Sequence, residues 1–137
     1  METVTVTRTI AAPESAVREA ILDVEPFMRA AGFDEVDVDG DIIDLTNRVG
    51  LAEIELTVER VDDPDAVLAY EQHEGMFESM RTVYHLEDVD DGTRVEATTD
   101  FALDVSLVGE LLDATVVSRQ RRRELTAQLE SLESAAE

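Results

Sequence analysis

The stretch LAEIELTVER, residues 51 to 60, alternates without a break: Ile54, Leu56 and Val58 fall on one face, and Glu53, Glu55 and Glu59 on the other. Period-two alternation of this kind describes a β-strand with one dry side and one wet side. The pattern recurs through nearly all of Phe33 to Asp104, in VDVDGDIIDL, AVLAYEQHE, FESMRTVYHLE and DVDDGTRVEATTDFAL. A sheet with one apolar face needs a second layer to cover it. Only the C-terminal segment, Ser106 to roughly Ala135, is long enough. At about 100° per residue, Leu107, Leu111, Ala114, Ser118, Leu125, Leu129 and Leu132 fall within roughly 40° of one line.

The N-terminal third supplies the remaining elements. Thr3 to Ile10 alternates as a strand, and Pro13 opens a helix carrying Val17, Ala20, Ile21 and Val24 at helical spacing. Pro26 is expected to break that helix, leaving a second short one from Phe27 to Ala31 that stops at Gly32. Turns are expected at Asp39-Gly40, around Gly75 and at Asp91-Gly92. The reading is α+β, in one domain over residues 1–137. It comprises a curved antiparallel sheet of about six to seven strands, two short helices after the first strand, and a long C-terminal helix.

Register follows from the turns. A four-residue turn from Val89 to Gly92 sets Leu86 beside Val95, Tyr84 beside Ala97, Thr82 beside Thr99 and Met80 beside Phe101. A three-residue turn from Gly75 to Phe77 sets Gln72 beside Met80, Tyr70 beside Thr82 and Leu68 beside Tyr84. All of these share the inner face, while Arg81, His85, Glu87, Arg94 and Glu96 face out. A slip of one residue would reverse every one of them.

This order, with RTIAAPESAVREAILDVEPF after the first strand and YHLEDVDDGTRVEATTDFAL before the last helix, resembles the SRPBCC superfamily. That group includes START lipid-binding domains, the birch-pollen allergen family and polyketide cyclases. The resemblance implies a helix-grip fold, in which the sheet wraps the long helix and a cavity remains between them. It also implies a small apolar ligand, lipid- or polyketide-like, as the partner.

The inner face suits such a cavity because it mixes apolar residues with a few polar groups. The expected lining is Phe27, Met28, Ile54, Leu56, Tyr70, Gln72, Met80, Thr82, Tyr84, Thr99, Phe101, Leu111, Ser118, Arg121 and Arg122. Two groups among these carry an open alternative: Tyr84 and the threonines can bond one another or trapped water, and Phe27 and Met28 can be core plugs. Phe27 and Met28 otherwise flank the cavity entrance.

Arginine is gathered in one place, SRQRRRELT, residues 118 to 126. Arg119 and Arg123 point to solvent, while Arg121 and Arg122 lie on the borders of the apolar stripe. There they either lay their stems over the core and pair with acids, or reach a ligand at the cavity mouth. Nucleic acid is not an expected partner: these arginines lie on different sides of the helix, without aromatic residues for stacking. The chain carries 33 acidic residues against 11 basic ones, a net charge of −22. That composition resembles proteins of salt-loving archaea, since at molar salt the Debye length falls to about 3 Å and self-repulsion is screened.

Other chemistry finds little support. Cysteine is absent, which removes disulfides, thiolate nucleophiles and cysteine-held metals. His85 pairs with Val67, six positions from His73, so the two histidines lie about 20 Å apart along the strand and cannot share an ion. Acidic runs such as Asp62-Asp63-Pro64-Asp65 lack the spaced ligands of a calcium loop. No nucleophile elbow or phosphate loop occurs, and no cofactor is expected. No apolar run approaches the roughly 20 residues of a membrane span, and the N-terminus lacks a signal-peptide pattern. A cytoplasmic location is expected.

The leading expectation is binding or carriage of a small hydrophobic ligand between sheet and helix. The alternatives are a polyketide cyclase- or aromatase-like enzyme using Tyr84, Arg121 or Arg122, and a non-catalytic interaction module contacting its partner through Arg119 and Arg123. A cavity of several hundred Å³ would favour the first two; one below a few waters would favour the third.

Overall fold

A computed structural model describes residues 1–49, 51–75, 77–103 and 114–136. The chain runs β1 (Glu2–Ile10), α1 (Glu14–Leu22), α2 (Val24–Ala30), β2 (Glu35–Asp39), β3 (Ile42–Val49), β4 (Ala52–Arg60), β5 (Leu68–Glu74), β6 (Phe77–Val89), β7 (Gly92–Leu103) and α3 (Ala114–Ala135). The seven strands form one antiparallel sheet in the order β1-β7-β6-β5-β4-β3-β2. The first strand therefore lies beside the last, and the hairpins between them meander to the other edge. The expected helix-grip architecture is the one observed, with α3 across the inner face of the curved sheet.

The inferred register holds except at the end of the β5–β6 ladder, which stops at Glu71–Arg81, one residue short of the expected Gln72–Met80 pair. Leu86 pairs with Val95, Tyr84 with Ala97, Thr82 with Thr99 and Met80 with Phe101. Leu68 pairs with Tyr84, and Tyr70 with Thr82. Two interruptions bend the sheet. The β4–β5 pairing jumps between Thr57–Glu74 and Val58–Gln72, leaving His73 as the extra residue. The β6–β7 pairing jumps between Phe77–Leu103 and Ser79–Ala102, leaving Glu78 extra. Such bulges increase local twist, which lets a long sheet curl around a helix.

At the β6–β7 turn, Gly92 has φ of 145°, and a Cβ placed there would fall 2.1 Å from the carbonyl oxygen of Ile10. The end of β1 closes against this turn only because the residue is glycine.

The short helices differ from the sequence expectation. Pro13 caps α1 with extended backbone angles rather than joining its first turn. The break comes at Asp23, not Pro26: Val24 begins α2, and Pro26 sits within its first turn. Proline is tolerated there because the first-turn N–H groups have no helical acceptor anyway. Gly32, with φ of 97°, follows α2 as expected.

Ser106 to Asp113, expected as the start of the last helix, lies outside the described residues, and so do Leu107 and Leu111. Over its described length α3 buries Val117, Arg121, Glu124, Leu125, Gln128, Leu129 and Leu132. The buried face is centred nearer Arg121 than the leucine stripe suggested, and Ala114 and Ser118 are half-buried at its margin.

Candidate functional site

Three polar side chains occupy the middle of the buried face of α3. Arg121 is 5 % exposed, Glu124 3 % and Gln128 1 %. Spacings of three and four residues put all of them on the sheet side, and each finds partners there.

Glu124 collects three donors. Arg121 Nη1 donates to its Oε1 at 2.5 Å, Asn47 Nδ2 to Oε2 at 2.8 Å, and Gln120 Nε2 to Oε2 at 3.2 Å. Arg121 Nη2 donates to Thr82 Oγ1 at 3.0 Å, and Thr82 in turn donates to Thr99 Oγ1 at 2.8 Å. Burial disfavours the Arg121 charge, but Tyr70 and the Glu124 carboxylate favour it more strongly, and its pKa ends above the ordinary arginine value. Among the described residues the Nε of Arg121 has no hydrogen-bond partner, which matters because a buried unpaired donor costs about 1–3 kcal/mol.

One helical turn further on, a second network forms. Tyr84 donates to Gln128 Oε1 at 2.6 Å and lies 3.2 Å from the Tyr70 hydroxyl. Gln128 Nε2 donates to the Phe27 carbonyl at 3.3 Å, and the Phe27 ring meets Tyr84 edge-on at 5.2 Å. Burial, then the neighbouring Tyr70, push the Tyr84 pKa well above the ordinary value.

The first network forms the polar end of a cavity of about 40 Å³ between the sheet and α3. Phe33, Leu45, Ile54, Leu56, Phe77, Val116 and Val117 supply its apolar walls, and Asn47, Gln120, Arg121 and Glu124 its polar ones. At roughly 10–15 Å³ per water this is room for a few waters, far below the several hundred Å³ of a pocket for a drug-sized ligand. The gap is not closed, but it is small.

The expected lining residues divide accordingly. Ile54, Leu56 and Arg121 line the cavity, and Thr82 stands directly behind Arg121. Tyr70, Met80, Tyr84, Thr99 and Phe101 face inward as expected but are packed in the core away from this space. Phe27 and Met28 are core plugs, 3 % and 0 % exposed, rather than entrance residues. Gln72 clamps the β5–β6 turn instead: its Nε2 donates to the Phe77 carbonyl at 2.8 Å, and Phe77 N donates to its Oε1 at 2.9 Å.

Ser118 is half-buried and is not part of the lining. Arg122 does not reach the cavity: it is exposed and donates to the Thr5 carbonyl at 3.2 Å. Its position on the helix turns it toward β1, past the edge of the covered face. Leu111 lies outside the described residues.

Sequence reasoning missed Phe33, Leu45, Asn47, Phe77, Val116, Val117, Gln120 and Glu124. For two of them a signal was present. Leu45 pairs with Leu56 and Asn47 with Ile54, so extending the register arithmetic to β3 places both on the inner face.

Elsewhere, His73 is exposed, 3.8 Å from Glu59, and His85 is half-buried on the outer face opposite Glu96. Among the described residues no three His, Asp or Glu side chains converge as metal ligands would. No helix among them is long and apolar enough to cross a membrane.

Solved structures share this architecture. The chain is similar to TTHA0849 from Thermus thermophilus, with a TM-score of 0.76 and 20 % identity over 98 % of this chain and 97 % of that one. It is similar to the Zhui aromatase/cyclase from a Streptomyces species, with a TM-score of 0.73 and 24 % identity over 96 % and 93 %. A START superfamily protein from Mycobacterium smegmatis follows, with a TM-score of 0.72 and 12 % identity over 96 % and 94 %. At these identities the likeness is one of fold. No curated protein matches the chain in sequence. The family described as polyketide cyclase / dehydrase and lipid transport matches residues 1–137, and the chain belongs to that family.

Proposed function

We propose that the protein binds a small, mainly apolar ligand between the sheet and α3, with Arg121 at the polar end of the site. The observation that carries this reading is the Arg121 Nε, without a hydrogen-bond partner among the described residues, beside an apolar-walled cavity. A buried ion pair is a weak device for stability, and a spare donor on it supports recognition of an acceptor on a ligand. Because Glu124 neutralises Arg121, the group received there is an uncharged acceptor such as a carbonyl or hydroxyl oxygen. The cavity as it stands admits only the tip of such a molecule. Of its walls, Phe33, Ile54 and Gln120 are half-buried rather than enclosed, so a larger ligand displaces the least packing there.

Catalysis is less well supported. Tyr84 is committed to Gln128 and away from the cavity, Arg122 is on the surface, and Glu124 already accepts from three donors. The small volume favours a second reading, a non-catalytic interaction module.

Titration with decanol, followed by NMR, separates the two. The binding reading expects saturable uptake that perturbs Phe33, Leu56 and Arg121, weakened about tenfold or more (1.4 kcal/mol) when Ile54→Trp blocks the space. Absence of saturable uptake, or perturbations confined to the outer surface, would replace it with the interaction module.

A further inference from the structure

The outer side of α3 carries a second feature. Arg119, Arg122 and Arg123 are all exposed and line one open groove with Gln120, Thr126 and Ala127, closed on its other side by Ala31 and Gly32 after α2. Glu130 stands at its far end, about 10 Å along the helix from Arg123. The groove measures about 560 Å³.

Elsewhere on the helices of this acidic chain, arginine is matched with acid. Arg18 pairs with Glu14 and Arg29 with Glu25, each four residues earlier. On α3 the positions four before Arg119, Arg122 and Arg123 are Thr115, Ser118 and Arg119, and those four after are Arg123, Thr126 and Ala127. Neither Arg119 nor Arg123 makes an ion pair among the described residues, and Arg122 bonds only the Thr5 carbonyl. Like charges at this spacing destabilise a helix. An external anion would relieve the repulsion.

The groove is not remote from the cavity. Gln120 is a wall of both, so one half-buried side chain is common to the apolar space and to the groove that the arginines line. Building on the binding reading above, we infer that this arginine face receives the anionic end of an amphipathic ligand, a phosphate or carboxylate, whose far tip carries the uncharged acceptor for Arg121 into the cavity past Gln120. Guanidinium groups suit that role because they hold such oxyanions through paired hydrogen bonds even where salt screens longer-range attraction.

The test compares decyl phosphate bearing a hydroxyl at its far end, decanol and inorganic phosphate, each below any micelle-forming concentration, on the full chain in salt that keeps it folded. Decyl phosphate is expected to bind about tenfold tighter than decanol or more. Arg119→Gln/Arg123→Gln should remove that preference and leave decanol affinity unchanged. Arg48→Gln/Arg60→Gln, the same charge change on the sheet, should retain it, and thermal unfolding of each variant checks its fold. Equal affinity for decanol and decyl phosphate overturns the inference and leaves the binding reading standing. So does a preference lost equally in the sheet variant, or inorganic phosphate binding as tightly as decyl phosphate. A poly-glutamate peptide binding this face more tightly than decyl phosphate overturns it in favour of an acidic protein partner. If neither decyl compound binds, the binding reading falls and this inference falls with it.

Discussion

Arg121 and Glu124 form an ion pair within α3 whose side chains are only 6 % and 4 % exposed. A pair this deeply buried is held by its neighbours as much as by its own attraction, since both ions have left water. Removing one partner strands the other charge. Glu124→Ala is expected to destabilise the protein by about 3–5 kcal/mol, while the double change Arg121→Met/Glu124→Leu should recover most of that loss, short of the cost of the donor it leaves on Asn47. Urea denaturation of the three proteins checks this. A double variant as unstable as the single one would mean that the pair itself, not the stranded charge, carries the stability.

Tyr84 gives a prediction at alkaline pH. Its folded pKa lies above its ordinary value of 10, through burial first and Tyr70 second. The folded state therefore keeps this proton when the unfolded chain releases it. The stabilisation is fully present below about pH 10 and falls as pH rises toward the folded value. Tyr84→Phe should flatten that decline. At neutral pH it should cost about 1–3 kcal/mol, because Gln128 Oε1 loses its donor. Denaturant midpoints on either side of pH 10 read both effects. An undiminished alkaline decline in the variant would assign it to another group.

The register of β5, β6 and β7 was legible because two glycine-marked turns and strict alternation leave one pairing that keeps Leu86, Tyr84, Thr82 and Met80 on a common face. The break between α1 and α2 was not, because Pro26 reads equally as an interruption or as a first-turn residue until the chain before it is seen to end at Asp23. Glu124 and Gln128 were missed for a different reason. A charged or amide residue on a helix stripe reads as solvent-facing, and it takes partners on strands distant in sequence, Asn47 for Glu124 and Tyr84 for Gln128, to make its burial tolerable. Cavity volume depends on how side chains from all these elements interlock, which no local pattern encodes.

Surface charge supplies the last prediction. On the outer face of the sheet, Asp37 stands directly opposite Asp44 in the β2–β3 pairing, and both are exposed. Like charges facing each other across strands oppose pairing, and here they lie on a chain of net charge −22. At about 0.1 M salt the Debye length is roughly 10 Å and such repulsion is felt; at molar salt it shrinks to about 3 Å and is largely screened. The thermal midpoint should therefore climb steeply from dilute buffer to molar potassium chloride. Asp37→Thr should raise it by a few degrees in dilute buffer and leave it unchanged at molar salt, since the added side chain only removes a repulsion that salt has already removed. Calorimetry across a potassium chloride series measures both. A midpoint independent of salt, or a gain from Asp37→Thr that persists at molar salt, would show that strand propensity, not charge, limits this edge of the sheet.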